Sequence, residues 1–192
     1  MRYSPGYKEK KYAELLKTSG RVLKKNGFAA TGVDALMHAA GMTSGAFYSH
    51  FASKSDLLLS IVTSELTNSQ NLWASNPYDS AEEWIDFELD RYLSLQHVQH
   101  PEDGCMLPAL SAEVARADLS IRERYEQELS KGHSILTQRL GDEHLAWVFI
   151  CQLAGSILIA RALHDENLQR SVINASKFFL KNALASKRGM AS

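Results

Sequence analysis

Between Val33 and Phe51 the chain reads VDALMHAAGMTSGAFYSHF, a short amphipathic run, a glycine, and a second short run crowded with hydroxyls and aromatics. Val33, Leu36, Met37 and Ala40 fall on one face of a helix, and Gly41 ends it. Thr43 or Ser44 then caps a further helix, predicted over Ser44 to His50, with Phe47 and Phe51 facing inward to hold it. Two short helices joined by a tight glycine turn form a helix-turn-helix, which offers its second helix to the DNA major groove. The composition suits that task. Gly45 keeps the helix start slim for close approach of a backbone, while Thr43 and Ser44 bring hydroxyls and helix N-terminal amides toward phosphate or base edges.

Helical periodicity governs the rest of the chain, and no persuasive strand alternation is present, so the fold is all-α. Tyr12, Leu15, Leu16, Ser19, Val22 and Leu23 line one face of a helix over Tyr7 to Asn26, with lysines on the other face and Gly27 as its stop. Thr31 stands at the N-cap of the helix beginning at Val33. Ser53, with Asp56 three residues on, caps a long helix from Lys54 to about Leu72, and Asn76 and Pro77 mark the next break. Further helices are predicted at Ser80 to His97, Cys105 to Ala115, Leu119 to Leu140, Glu143 to His164 and Asn167 to Lys187. The expected division is a DNA-binding domain over 1–55 and a ligand-sensing and dimerisation domain over 56–192, coupled through the long fourth helix.

Charge supports a division of labour. The net charge of the 192 residues is -1, yet residues 1–60 hold nine Lys and Arg against four Asp and Glu. A basic head on an acidic body suits a head that meets a polyanion. Two cysteines are too few for a disulfide framework, and MRYSPGYKEKK lacks a signal-peptide core, which points to a reducing cytoplasm. The apolar run from Leu145 to Leu163 approaches membrane-spanning length, but Gln152 and Arg161 interrupt it. An interface helix is the expectation there, not a membrane span.

From Thr31 to Leu58, TGVDALMHAAGMTSGAFYSHFASKSDLL closely resembles the DNA-binding domain of TetR-type transcriptional regulators, with its glycine turn, Tyr-x-His-Phe signature and following lysine. The resemblance implies three N-terminal helices for DNA, a larger helical ligand domain, and a homodimer formed mainly by the last two helices. It places Thr43, Gly45, Ala46 and His50 toward bases, and Tyr48, Lys54 and Thr31 on phosphate, with Lys8, Lys10 and Lys11 reaching the backbone from the N-terminal arm. Gly32 and Met42 depart from the hydroxyl and β-branched residues common there, which touches sequence preference only. The implied activity is that of a dimeric one-component repressor on a palindromic operator, not an enzyme.

In the body, PEDGCMLPALSAEV places Cys105 at or beside a helix N-terminus, because Pro108 is tolerated only in a first turn. The helix dipole there favours thiolate. The segment resembles a TetR-type subgroup with a Gly-Cys at a helix start, some members of which sense electrophiles through that thiol; the alternative is a small buried hydrophobe. Release by a small molecule or by modification of Cys105 is therefore expected, with the signal passing along the fourth helix. Trp84, Phe87, Met106 and Trp147, together with Trp73, Tyr92 and Phe149, are candidate walls of a ligand cavity. The small residues Ala154, Gly155 and Ser156, with Val172, Ile173, Ser176, Phe179 and Leu180, are candidates for a four-helix dimer interface that spaces the recognition helices by roughly 34 Å. His97, His100 and Cys105 lack a convincing fourth metal ligand, and no cofactor is expected. The rival reading is a helical enzyme with Cys105 as nucleophile and His97 or His100 as base.

Overall fold

The computed structural model describes residues 6–189, apart from the side chains of residues 7, 8 and 186–189, so the Lys8 expectation lies outside the described residues. No strand occurs among them. The helices are α1 (Tyr7–Asn26), α2 (Val33–Ala39), α3 (Ser44–Phe47), α4 (Lys54–Ala74), α5 (Ala81–Tyr92), α6 (Leu95–Gln99), α7 (Leu107–Val114), α8 (Leu119–Leu140), α9 (Glu143–Ala162) and α10 (Glu166–Gly189). A 3-10 turn, Pro101–Asp103, precedes α7.

Two compact units emerge, and no single cut separates them. One comprises residues up to Thr67 with Pro101–Glu128, and the other Asn68–His100 with the chain from Leu129 onward. The division passes within α4 and again within α8. Pro101–Val114, expected in the body, thus belongs with the head.

In the first unit, Leu15, Ser19 and Leu23 of α1 are buried with Leu36, Met37, Phe47, Phe51, Leu57, Leu58 and Ile61. This is the inward face that the α1 periodicity predicts. One α1 lysine departs from the pattern: Lys24 is buried, because its ammonium donates to Glu65 Oε2 at 2.8 Å and to the Gly104 carbonyl at 2.9 Å. The Ser53 hydroxyl accepts from Asp56 N at 3.1 Å, as the capping pattern requires.

In the second unit the helix predicted over Ser80 to His97 is two helices. It stops at Tyr92, and Ser94 caps α6 by accepting from His97 N at 3.3 Å, while the buried His97 ring holds the Tyr92 carbonyl through Nδ1 at 2.8 Å. Lys177 to Asp90 at 2.7 Å and Lys181 to Asp86 at 2.9 Å tie α10 to α5. The Asp86 carboxylate accepting from Lys181 raises that ammonium's pKa above its ordinary value. Helix α9 meets the length and apolarity of a membrane span, yet only 39% of its most apolar window is buried. Phe149, Ile150, Leu153 and Ile157 face the core, whereas Trp147, Val148, Cys151, Leu158 and Ile159 face outward.

Gly132 lies mid-helix in α8, where a Cβ would stand 2.8 Å from the Trp73 ring carbon Cζ3. Alanine gains about 1 kcal/mol of helix propensity. Forcing a methyl into the ring costs about 1–3 kcal/mol. Gly132→Ala is thus expected to lower stability by about 1 kcal/mol in denaturant unfolding, and to be neutral or favourable when combined with Trp73→Leu, which vacates the space. An equal loss in both backgrounds would exclude the ring as the cause.

Candidate nucleic-acid interface

Helix α2 ends in a left-handed glycine. Gly41 has φ +65°, its N–H donates to the His38 carbonyl at 3.0 Å, and Met42 N donates to the Met37 carbonyl at 2.9 Å. This is the two-bond helix stop that a residue without Cβ permits at no steric cost. Thr43, in extended conformation, follows as the N-cap of α3, and its hydroxyl makes no capping bond.

Helix α3 is shorter than expected and ends at Phe47, after which Ser49 N and His50 N donate to the Ala46 and Phe47 carbonyls at 3.2 and 2.9 Å. These tighter bonds wind the chain toward Phe51, whose ring lies 5.5 Å from the fully buried Phe47 ring. Anchored from within, α3 leaves its start open. Thr43, Ser44 and Gly45 are exposed, Ala46 is half-exposed, and no atom lies within 4 Å of the Cβ position at Gly45. Tyr48 is 71% exposed and sits edge-on against Phe47 at 5.3 Å. The half-exposed His50 ring lies 6.1 Å from the Tyr12 ring.

Two expected phosphate groups are differently placed. Thr31 is buried and is not the N-cap of α2, which is Gly32; the Thr31 hydroxyl donates to the Gly27 carbonyl at 2.6 Å and its N–H to Phe28 O at 3.3 Å. It fixes the α1–α2 linker and has no donor left for phosphate. Lys54 is half-buried, with its ammonium on the Phe28 carbonyl and 4.2 Å from the Phe28 ring centre. Lys11 pairs with Glu14 at 2.9 Å, which holds that carboxyl below its ordinary pKa, and Lys10 is exposed.

The sequence reading missed a set of acids on the Pro101–Val114 segment. Glu102 and Asp103 pair with Lys25 and Arg21 of α1, and Glu113 accepts from Phe28 N and Ala29 N at 2.6 and 2.7 Å. Their partners are some eighty residues away in sequence, so no local signal reports them.

Cys105, predicted to open this helix, instead lies two residues before α7; its half-buried sulfur accepts from Leu107 N, the first amide of α7, at 3.4 Å. Met106 beside it is fully buried. Cys105 and Met106 belong to the first unit, while His97, His100, Trp84, Phe87 and Trp147 belong to the second. The candidate wall residues differ in exposure. Trp84 is fully buried, Phe87 is 38% exposed, and Trp147 is 41% exposed and stacked on His133 at 4.2 Å. Among the described residues, no three His, Cys, Asp or Glu groups gather as metal ligands would.

The features of the first unit define a helix-turn-helix DNA-binding head on an all-helical chain. Residues 15–61 match the family model of the bacterial regulatory proteins, tetR family. Over 50 residues the chain is 48% identical to YerO of Bacillus subtilis (strain 168), an uncharacterized HTH-type transcriptional regulator, across 26% of this chain and 17% of that protein. E. coli NemR in its reduced form superposes with a TM-score of 0.76 at 19% identity, covering 90% of this chain and 96% of that one. FadR from Bacillus subtilis in complex with stearoyl-CoA does so with 0.68 at 16% identity, covering 90% and 97%. The head thus carries the DNA-binding domain of the tetR family, and the course of the chain is the fold of those structures.

Proposed function

We propose that the chain is a dimeric one-component repressor acting in the cytoplasm, which binds a palindromic double-stranded operator and is released by an inducer or by an electrophile or oxidant at Cys105. The observation that carries the reading is the exposed N-terminal face of α3, Thr43 to Ala46, with Tyr48 projecting beside it from a turn anchored by Phe47 and Phe51. Thr43, Ser44, Gly45, Ala46 and His50 meet base edges, while Tyr48 and the lysines of α1 meet phosphate. Lys54 contributes through the donors that Phe28 does not take.

For release, the Cys105 sulfur stands at the first amide of α7, and half-burial leaves it reachable by a small electrophile. Its segment packs on α1, so the signal need not travel the length of α4, as the sequence suggested. Differential affinity of the two states for DNA drives release. A reversible apolar inducer is the second reading, favoured by the likeness to a regulator crystallised with stearoyl-CoA.

The decisive measurement is binding to duplex flanking the chain's own gene, titrated in salt, with and without N-ethylmaleimide, beside Cys105→Ser. We expect specific binding that weakens steeply with salt and that the reagent abolishes only when Cys105 is present. Binding indifferent to the reagent in both proteins moves the trigger to a reversible ligand. No selective binding to this duplex or to any selected from random DNA sinks the regulator reading.

A further inference from the structure

The α1–α2 linker, which leads into the helix-turn-helix, is held from two sides. Gly27 turns the chain out of α1 at φ +85°, a conformation that L side chains rarely adopt. The next two amides, Phe28 N and Ala29 N, both point to one carboxylate: Glu113 Oε2 accepts the first at 2.6 Å and Oε1 the second at 2.7 Å. From the other side, Lys54 donates to the Phe28 carbonyl and covers its ring. The Thr31 hydroxyl closes the linker on Gly27. The linker therefore has little freedom of its own, and α2, which starts at Gly32, inherits its position. The sole grip of α7 on these amides is a side chain at the penultimate position of that helix.

We propose that Glu113 is a positioning residue for operator recognition, holding the entry to the helix-turn-helix in its DNA-competent place and passing to it any displacement of α7. The proposal rests on the regulator reading and adds its internal coupling. Both oxygens of the carboxylate are needed, because each amide takes one of them and charge-assisted bonds to backbone N–H are about twice as strong as neutral ones. The start of α7 is the place where Cys105 meets the Leu107 amide and where the Gly104 carbonyl holds Lys24 of α1. A shift there is passed to Glu113, since both lie on the same continuous eight-residue helix. The head then loses its setting without any contact to DNA being removed.

The test uses the full-length protein, a duplex that the unaltered protein selects from random DNA, and the variants Glu113→Gln and Glu113→Ala. Glutamine keeps the size and one acceptor, so its affinity for the duplex should fall about tenfold, as loss of one charged hydrogen bond implies, and that of alanine further. The slope of affinity against salt should stay unchanged in both, because no phosphate contact is lost. Amide exchange at Phe28 and Ala29 should quicken in the same order. A merely structural carboxylate would lower the melting temperature yet leave affinity intact wherever the variant is folded. Unaltered affinity in both variants, with exchange at the two amides accelerated, overturns the coupling alone. Failure of the unaltered protein to select any duplex overturns the regulator reading and the coupling with it.

Discussion

Phe178→Glu should turn a dimer of the 21.4 kDa chain into a monomer in sedimentation, and should weaken operator binding by at least about a hundredfold. Phe178 is 71% exposed on α10, with Phe179 at 53% beside it and Leu158 and Ile159 at 53% and 55% on α9. On α9 the outward residues Val148, Cys151, Gly155, Leu158 and Ile159 recur every three or four positions, and nothing lies within 4 Å of the Gly155 Cβ position. A stripe of contiguous exposed apolar side chains is characteristic of surfaces that pair with another protein. A second copy is the occupant that suits it, since a two-fold axis lets the same stripe cover itself. An aromatic at the centre of such a patch is worth about 2 kcal/mol or more, and a buried unpaired carboxylate costs further. The proposed dimer would present two heads to two half-sites at once, so its loss should remove the effective-concentration gain of the second, about 10²–10⁴-fold. Because Phe178 is exposed in the single chain, the monomer should retain its helical content. A variant that sediments as a dimer and binds the operator normally would place the interface elsewhere.

The same pair of helices shows where sequence stops being informative. Leu145 to Leu163 is apolar all round, so its periodicity signals burial without saying which face meets the chain's own core. The structure commits Ile173, Ser176 and Leu180 to the α9–α10 contact, where the Ser156 and Ser176 hydroxyls lie 2.6 Å apart and Gln152 donates to Ser176 at 3.0 Å. Of the residues expected at the dimer surface, Gly155, Leu158, Ile159 and Phe179 remain on the open side, and Phe178 joins them. The Gly41 turn, by contrast, was legible, because a left-handed residue at a helix end is a local demand that glycine alone meets cheaply. The break between α5 and α6 has no glycine or proline to announce it. It is made by the Ser94 cap and by His97 reaching back to Tyr92. The reading of the interface surface at α3 was likewise local, whereas Thr31, Lys54 and Glu113 take their places from bonds across the fold.

Lys24 is the most consequential of those long-range placements, and Lys24→Met should destabilise the protein by about 3–5 kcal/mol in denaturant unfolding. The α1 pattern assigns its lysines to solvent, yet the Lys24 side chain is only 6% exposed and that of its partner Glu65 17%. The ammonium is held by Glu65 Oε2 at 2.8 Å and by the Gly104 carbonyl at 2.9 Å. Gly20, one turn before Lys24, makes room for the acid, since a Cβ there would stand 2.8 Å from Glu65 Oε1. Methionine fills similar space but leaves a desolvated carboxylate without its cation and the Gly104 carbonyl without its donor. Removing both charges is a different matter: Lys24→Met with Glu65→Leu should recover most of the loss, because a buried pair replaced by apolar groups of like size is often neutral. The double variant should still lack the bond to Gly104, so the Pro101–Cys105 turn should exchange its amides faster than in the unaltered protein even when global stability is restored. Single and double variants equally destabilised would mean that the pair is held by packing of the lysine stem and not by its charge.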